Sequence, residues 1–179
     1  MKNYLKNKQK SGYLFWVTGF SGSGKTSIAK KIKRNIISFY GPTILISGDD
    51  VRNIFNLKGY SYKERYKTVM KYCKLAKFLT SQNINVIFAV VGQMNKARNW
   101  NRNNIKNYIE IFIKADLKKI IKKREKKIYL KKTKNVIGID IKPEFPKNPD
   151  VTINNNFKKN LEELSQELMK KIIKKTAHV

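Results

Sequence analysis

Short apolar runs alternate along the chain with longer stretches in which apolar residues recur every three or four positions. That alternation predicts strand–helix–strand units around a parallel sheet. Tyr13 to Thr18 reads as the first strand. It passes through a glycine-rich turn, Gly19 to Gly24, into a helix over Lys25 to Tyr40 whose apolar positions are Ile28, Ala29, Ile32, Ile36 and Ile37. Gly41-Pro42 stops that helix, and Thr43 to Ser47 reads as the second strand. Tyr62 to Ser81 predicts a long helix with Tyr66, Val69, Met70, Cys73, Ala76 and Leu79 on one face. Ile84 to Val91 is nearly continuously apolar, the pattern of a strand buried on both faces. A helix over Ala97 to Asn104, a strand over Tyr108 to Ile113 and a very basic helix over Leu117 to Lys132 follow. A short strand, Val151 to Ile153, precedes an amphipathic helix over Leu161 to Ile173 that carries Leu161, Leu164, Leu168 and Ile172. Pro143, Pro146 and Pro149 mark an irregular loop, and no internal repeat is present.

With 179 residues, the chain is expected to hold one domain over 13–175, between a basic tail at 1–12 and a short tail at 176–179. Its 40 Lys and Arg against 12 Asp and Glu give a formal charge of +28, which raises the question of an anionic partner. Nucleic acid is disfavoured as that partner, because Arg, the bidentate and stacking cation, is scattered at Arg34, Arg52, Arg65, Arg98, Arg102 and Arg124. The Lys pairs sit among abundant Asn and Ile, the mix expected of an A+T-rich coding sequence. A lone cysteine, Cys73, excludes an intrachain disulfide and falls at a core position of its helix. No apolar run is long enough to span a membrane, and the basic start is not followed by a signal-peptide core, so a cytoplasmic setting is expected. The lone histidine, His178, falls in the C-terminal tail and is read as non-catalytic.

The segment Gly19-Phe20-Ser21-Gly22-Ser23-Gly24-Lys25-Thr26 carries the spacing of a Walker A loop, placed between a strand and a helix as that motif requires. Its glycines let backbone N–H groups turn around phosphate oxygens, Lys25 reaches the β- and γ-phosphates, and Thr26 offers a hydroxyl to Mg²⁺. The helix N-terminus adds a favourable field for anions. ATP and Mg²⁺ are therefore the expected cofactors, held by Gly19, Ser21, Gly22, Ser23, Gly24, Lys25, Thr26 and Ser27. At the end of the second strand stands Ser47-Gly48-Asp49-Asp50-Val51-Arg52, where a carboxylate can orient an acceptor hydroxyl and an Arg can neutralise an anionic acceptor. A capped turn with a surface ion pair is the simpler reading of the same residues.

Phe20 to Thr26, Gly48-Asp49-Asp50-Val51-Arg52, Gly59-Tyr60-Ser61 with Glu64-Arg65, and Gly138-Ile139-Asp140 with Pro143, Pro146 and Asn148-Pro149 resemble adenylylsulfate kinases in order and spacing. The resemblance spans about residues 13 to 155 and implies a three-layer P-loop NTPase-like α/β fold with a central, mostly parallel sheet. It also implies a homodimer and transfer of the γ-phosphate of Mg-ATP to the ribose 3′-hydroxyl of adenosine 5′-phosphosulfate. By motif position it makes Lys25 and Asp49 catalytic, with Asp49 also near Mg²⁺ beside Thr26. It sets Arg52, Arg65 and Lys142 around the acceptor nucleotide, and Arg124 in a lid, about 122–142, that closes over ATP.

Departures from that family fall on the acceptor side. Ser47 stands where a first carboxylate is usual. Tyr60, Thr68 and Val136 stand where two Phe and an Asn hold adenine, and Val91-Gly92-Gln93 replaces Ile-Ser-Pro. The stretch Trp100 to Ile105 through Asn107 to Glu110 resembles the branch linked to surface-polysaccharide modification, which includes cytidine diphosphoramidate kinases. Phosphorylation of adenosine 5′-phosphosulfate in sulfate assimilation is the leading expectation, and a cytidine diphosphate derivative is the alternative acceptor. A basic RNA-binding P-loop module and a family member that binds ATP without transferring its phosphate are the remaining readings.

Overall fold

The computed structural model describes residues 11–124, 129 and 134–177. The N-terminal residues 1–10, part of the expected lid and His178 lie outside them. Five strands form one sheet among the described residues: β1 (Tyr13–Thr18), β2 (Thr43–Ser47), β3 (Asn85–Val90), β4 (Asn107–Lys114) and β5 (Val151–Asn154). Their order is β2-β3-β1-β4-β5 and every neighbouring pair is parallel, with Leu14 opposite Val86 on one side of β1 and Tyr108 on the other. The expected strands coincide with these to within a residue or two at each end.

Central strands covered on both faces need apolar residues at every position. In β1, Phe15 and Val17 face one layer, where α1 (Lys25–Tyr40) and a C-terminal helix (Leu161–Thr176) pack through Ile28, Ile32, Leu168 and Ile172. Leu14 and Trp16 face the other, against α3 (Tyr62–Ser81) and α4 (Asn95–Asn104), where Val69, Cys73 and Ala97 are buried. Ile37 and Leu161, expected on apolar faces, are exposed: Ile37 lies off the stripe of its helix, and Leu161 is the first residue of its own. A third, smaller cluster joins Phe20 of the glycine-rich loop to Ile120 and Ile137, and it supports the mouth of the site from outside the sheet. Ile120 lies on α5 (Leu117–Arg124).

Two short features place side chains around the sheet. After β2 the chain turns at once into α2 (Gly48–Ile54), whose N-cap is Ser47. With α2 counted, the C-terminal helix is α6. The second feature ties α4 to the middle of β4: buried Glu110 receives Arg98 at 2.8 Å and Arg102 at 3.0 Å, and Arg102 also reaches Asp150 at 3.1 Å. Burial raises the Glu110 carboxyl above its usual range, while the nearby Arg98 and Arg102 guanidiniums pull it back down. No helix among the described residues is long and apolar enough to cross a membrane.

Candidate active site

The glycine-rich loop is built by close approach. A Cβ on Gly19, which has φ +152°, would lie 2.5 Å from the Ile113 carbonyl oxygen, so any side chain there would push β1 and β4 apart. Gly24 takes the left-handed conformation with φ +94° and starts α1 directly from the loop. Lys25 is buried and its Nζ donates to the Phe20 carbonyl at 2.6 Å, so the ammonium lies folded over the loop. Ser23 is fully buried, and its Oγ has no hydrogen-bond partner among the described residues. With the sixteen-residue α1 starting at its end, the loop fits a polyphosphate.

Two distant residues hold this loop in shape. The Asn155 amide donates to the Ser23 carbonyl at 2.9 Å from just beyond β5, and the Tyr129 hydroxyl donates to the Ser21 carbonyl at 3.0 Å. Burial pushes the Tyr129 phenol up to about 12, so it remains a donor at neutral pH.

On the facing wall, α2 starts with a reciprocal cap. The Ser47 Oγ accepts the Asp50 N–H at 3.1 Å, and the Asp50 carboxylate accepts the Ser47 N–H at 3.2 Å. Ser47 thus replaces a carboxylate at the helix start by a cap and occupies Asp50 with it, leaving Asp49 at the cavity wall. No surface ion pair of Asp49, Asp50 or Arg52 accompanies the cap among the described residues; Arg52 donates instead to the Leu57 and Gly59 carbonyls, at 2.7 and 3.1 Å. Its guanidinium lies 4.4 Å from the Tyr60 ring centroid, and that of Arg65 lies 5.0 Å from the same ring. Arg65 also donates to the Tyr60 and Asn135 carbonyls, both at 2.8 Å. Burial, and after it the positive charge of Arg52, lowers the Arg65 pKa.

Between the two walls lies a cavity of about 330 Å³. Ser21, Gly22, Gly24, Lys25, Thr26 and Ser27 line its loop side, and Asp49, Arg52, Tyr60, Arg65 and Thr68 face them, with Val91 and Gly92 between. Gly19 and Ser23 shape the loop from behind without lining the cavity. Val136 does not reach it either: its backbone N–H is tied to Asp140 at 2.8 Å, it is buried, and the next residue, Ile137, forms the wall. Lys142 borders a separate surface depression with Tyr62 and Glu144. Arg124 ends α5, and its side chain lies outside the described residues.

Some residues of the site had no sequence signal of their own. Tyr72, one turn beyond Thr68 on α3, donates to the Gly48 carbonyl at 2.9 Å and holds the start of α2; burial pushes its phenol up to about 12. Gln93, read in the sequence with Val91 and Gly92 as a departure from the family, also lines the cavity, from the loop after β3. A second cavity, about 390 Å³, opens on the other side of the loop between Gly24, Ser27, Lys123, Asn155 and Phe157. The run Asn154-Asn155-Asn156 after the last strand was the available hint of that side.

The adenylylsulphate kinase family matches residues 11–154. A cytidine diphosphoramidate kinase from Campylobacter jejuni is 35% identical over 164 residues, covering 89% of this chain and 96% of the relative. An adenylyl-sulfate kinase from Pseudomonas aeruginosa is 30% identical, covering 82% of this chain and 78% of the relative. Among solved structures, the Mycobacterium tuberculosis APS kinase in complex with AMPPNP and APS superposes with a TM-score of 0.80 at 24% identity, covering 90% of this chain and 98% of that one, a likeness of fold. With the phosphate-binding loop and the parallel sheet in place, the chain belongs to the adenylylsulphate kinase family and is a nucleotide kinase.

Proposed function

We propose that the protein transfers the γ-phosphate of ATP to the ribose 3′-hydroxyl of cytidine 5′-diphosphoramidate. The observation that carries this reading is the acceptor wall: Tyr60 is held by two Arg, Thr68 stands where an adenine-binding amide is expected, and Val136, which stands where a second ring is expected, is buried off the cavity and leaves the aliphatic Ile137 on the wall. A pocket with one ring and short side chains suits a pyrimidine, and the 35% identity to a cytidine diphosphoramidate kinase over nearly its whole length supports it. The second reading, adenosine 5′-phosphosulfate as acceptor, is supported by the family match and by Arg52 and Arg65, which suit either anion.

In this reading the acceptor hydroxyl oxygen forms a bond to the γ-phosphorus as the bond from that phosphorus to the bridging oxygen of ADP breaks. Asp49 orients the hydroxyl and takes its proton, Lys25 neutralises charge on the transferred group, and Arg52 and Arg65 hold the acceptor's own phosphates. Thr26 and Asp49 would hold Mg²⁺, which would supply charge neutralisation to the nucleotide's phosphates. Among the described residues no three acidic or His/Cys side chains cluster into a cage, which suits an ion held largely by the nucleotide. The cavity between Ser27 and Phe157 would take the base of ATP. We place the enzyme in the cytoplasm, where ATP is available, as a homodimer of one-domain subunits. Sedimentation showing a monomer would correct the last point.

The test is acceptor-dependent ADP release in Mg-ATP, comparing cytidine 5′-diphosphoramidate with adenosine 5′-phosphosulfate. Turnover with the cytidine compound and little with the adenosine one supports the proposal. The reverse preference replaces it by the second reading, and release with neither, for a protein that binds ATP, overturns both.

A further inference from the structure

Gln93 sits in the loop between β3 and α4, on the cavity shared by Asp49, Arg52 and Arg65. The residue is only 2% exposed. Both polar atoms of its side chain, Oε1 and Nε2, are cut off from solvent and have no hydrogen-bond partner among the described residues. Its backbone is not loose, since its carbonyl accepts the Glu144 N–H at 3.3 Å. The neighbouring Gly92 has φ +32°, and a Cβ there would meet Val90 at 2.6 Å and the Trp16 indole nitrogen at 3.3 Å. That indole N–H is also buried without a partner. The Gln93 end of the cavity therefore holds one donor group and one acceptor that folding has stripped of water and not repaid, with the bare Trp16 indole in the core behind Gly92. Buried polar groups are rarely left so, and a pair of them facing a cavity calls for a partner, whether a bound water or a ligand.

We propose that Gln93 recognises the terminal group of the acceptor's phosphate chain and that this group carries an amide nitrogen. This rests on the reading of the protein as a nucleotide kinase with a diphosphate-type acceptor. The other groups facing an anion here, Arg52 and Arg65, are donors, as anionic oxygens require. The Gln93 oxygen can only accept. Against a sulfate or a fully ionised phosphate, whose outer atoms are all oxygens without protons, it would meet another lone pair. Against a phosphoramidate, Oε1 accepts from the P–NH₂ group while Nε2 donates to the adjacent P–O oxygen, so both atoms are satisfied at once. A carboxylate at 93 would also accept the N–H but would repel the phosphate, whereas the neutral carboxamide does not. Discrimination then arises chiefly from rejection, because the wrong group leaves a buried oxygen unpaired.

The experiment compares kcat/KM for cytidine 5′-diphosphoramidate and for cytidine 5′-diphosphate, which differ only in that NH₂, in the wild type and in Gln93→Leu. The wild type is expected to prefer the amidate, and Gln93→Leu to lower that preference about tenfold, mostly through KM for the amidate. KM for ATP should stay in place and the midpoint of thermal unfolding should hold or rise, since the variant removes unpaired buried atoms. A preference unchanged in folded Gln93→Leu, or a parallel fall with both acceptors, overturns the role of Gln93 while leaving the kinase reading intact. Absence of turnover with either cytidine compound in the wild type overturns the acceptor assignment itself.

Discussion

The amide of Asn155 donates to the carbonyl of Ser23 at 2.9 Å, both residues being buried, so the turn after β5 holds the phosphate loop that follows β1. A Cβ on Gly24 would lie 3.1 Å from the same amide nitrogen, which shows how closely the two segments fit. Replacing Asn155 by Leu leaves the Ser23 carbonyl without its donor in a closed site. We expect a loss of about 1–3 kcal/mol in stability and a raised KM for ATP, read by denaturant unfolding and by nucleotide titration.

Asp49 and Asp50 are adjacent in sequence and opposite in consequence. Asp49→Asn should cut turnover on the order of 10²-fold or more with no loss of stability, because the Ser47–Asp50 cap survives. Asp50→Ala should cost about 1 kcal/mol of stability through loss of the cap and affect turnover far less. Equal kinetic losses in the two variants would contradict the division of roles.

Tyr60 shares its ring with Arg52 and Arg65 and is half exposed, so it contributes to the site more than to the core. Tyr60→Phe keeps the ring and should bind acceptor nearly as the wild type does. Tyr60→Leu should raise the acceptor KM several-fold, about 1 kcal/mol, at unchanged ATP affinity. Initial-rate measurements with each substrate varied in turn separate the two effects.

Cys73, Tyr72 and Tyr129 all have acid groups pushed up to about 12, each chiefly by burial. The folded protein therefore retains these protons at pH values where the unfolded chain, with thiols near about 8.5 and phenols near about 10, has lost them. Their contribution to stability is fully present below those unfolded values and is lost as pH rises toward about 12. Urea midpoints should fall between pH 8 and 11, and Cys73→Ser should flatten the first part of that fall. For the same reason the Cys73 thiol should resist alkylation in the native protein at pH 8 and react once it is unfolded.

Periodicity and the Walker spacing were enough to place β1, α1, β2 and α3, and to point to the phosphate loop, because every residue in those signals lies within a few turns of its neighbours. The reading also separated Asp49 from the rest of its segment, though without the Ser47–Asp50 cap that explains why the second carboxylate is occupied. Side-chain partners far apart in the chain stayed hidden. Asn155 meets Ser23, Arg98 meets Glu110, and Gln93 reaches the cavity only because the strand order β2-β3-β1-β4-β5 brings the carboxyl ends of all five strands to one edge. Local spacing sets which face of an element is apolar, since burial acts on each residue by its own side chain. Which polar atom finds a partner and which is left bare is decided only when separate strands are packed together. The glycine-rich loop is thus legible in this sequence alone, while the layout of the wall facing it is a property of the fold.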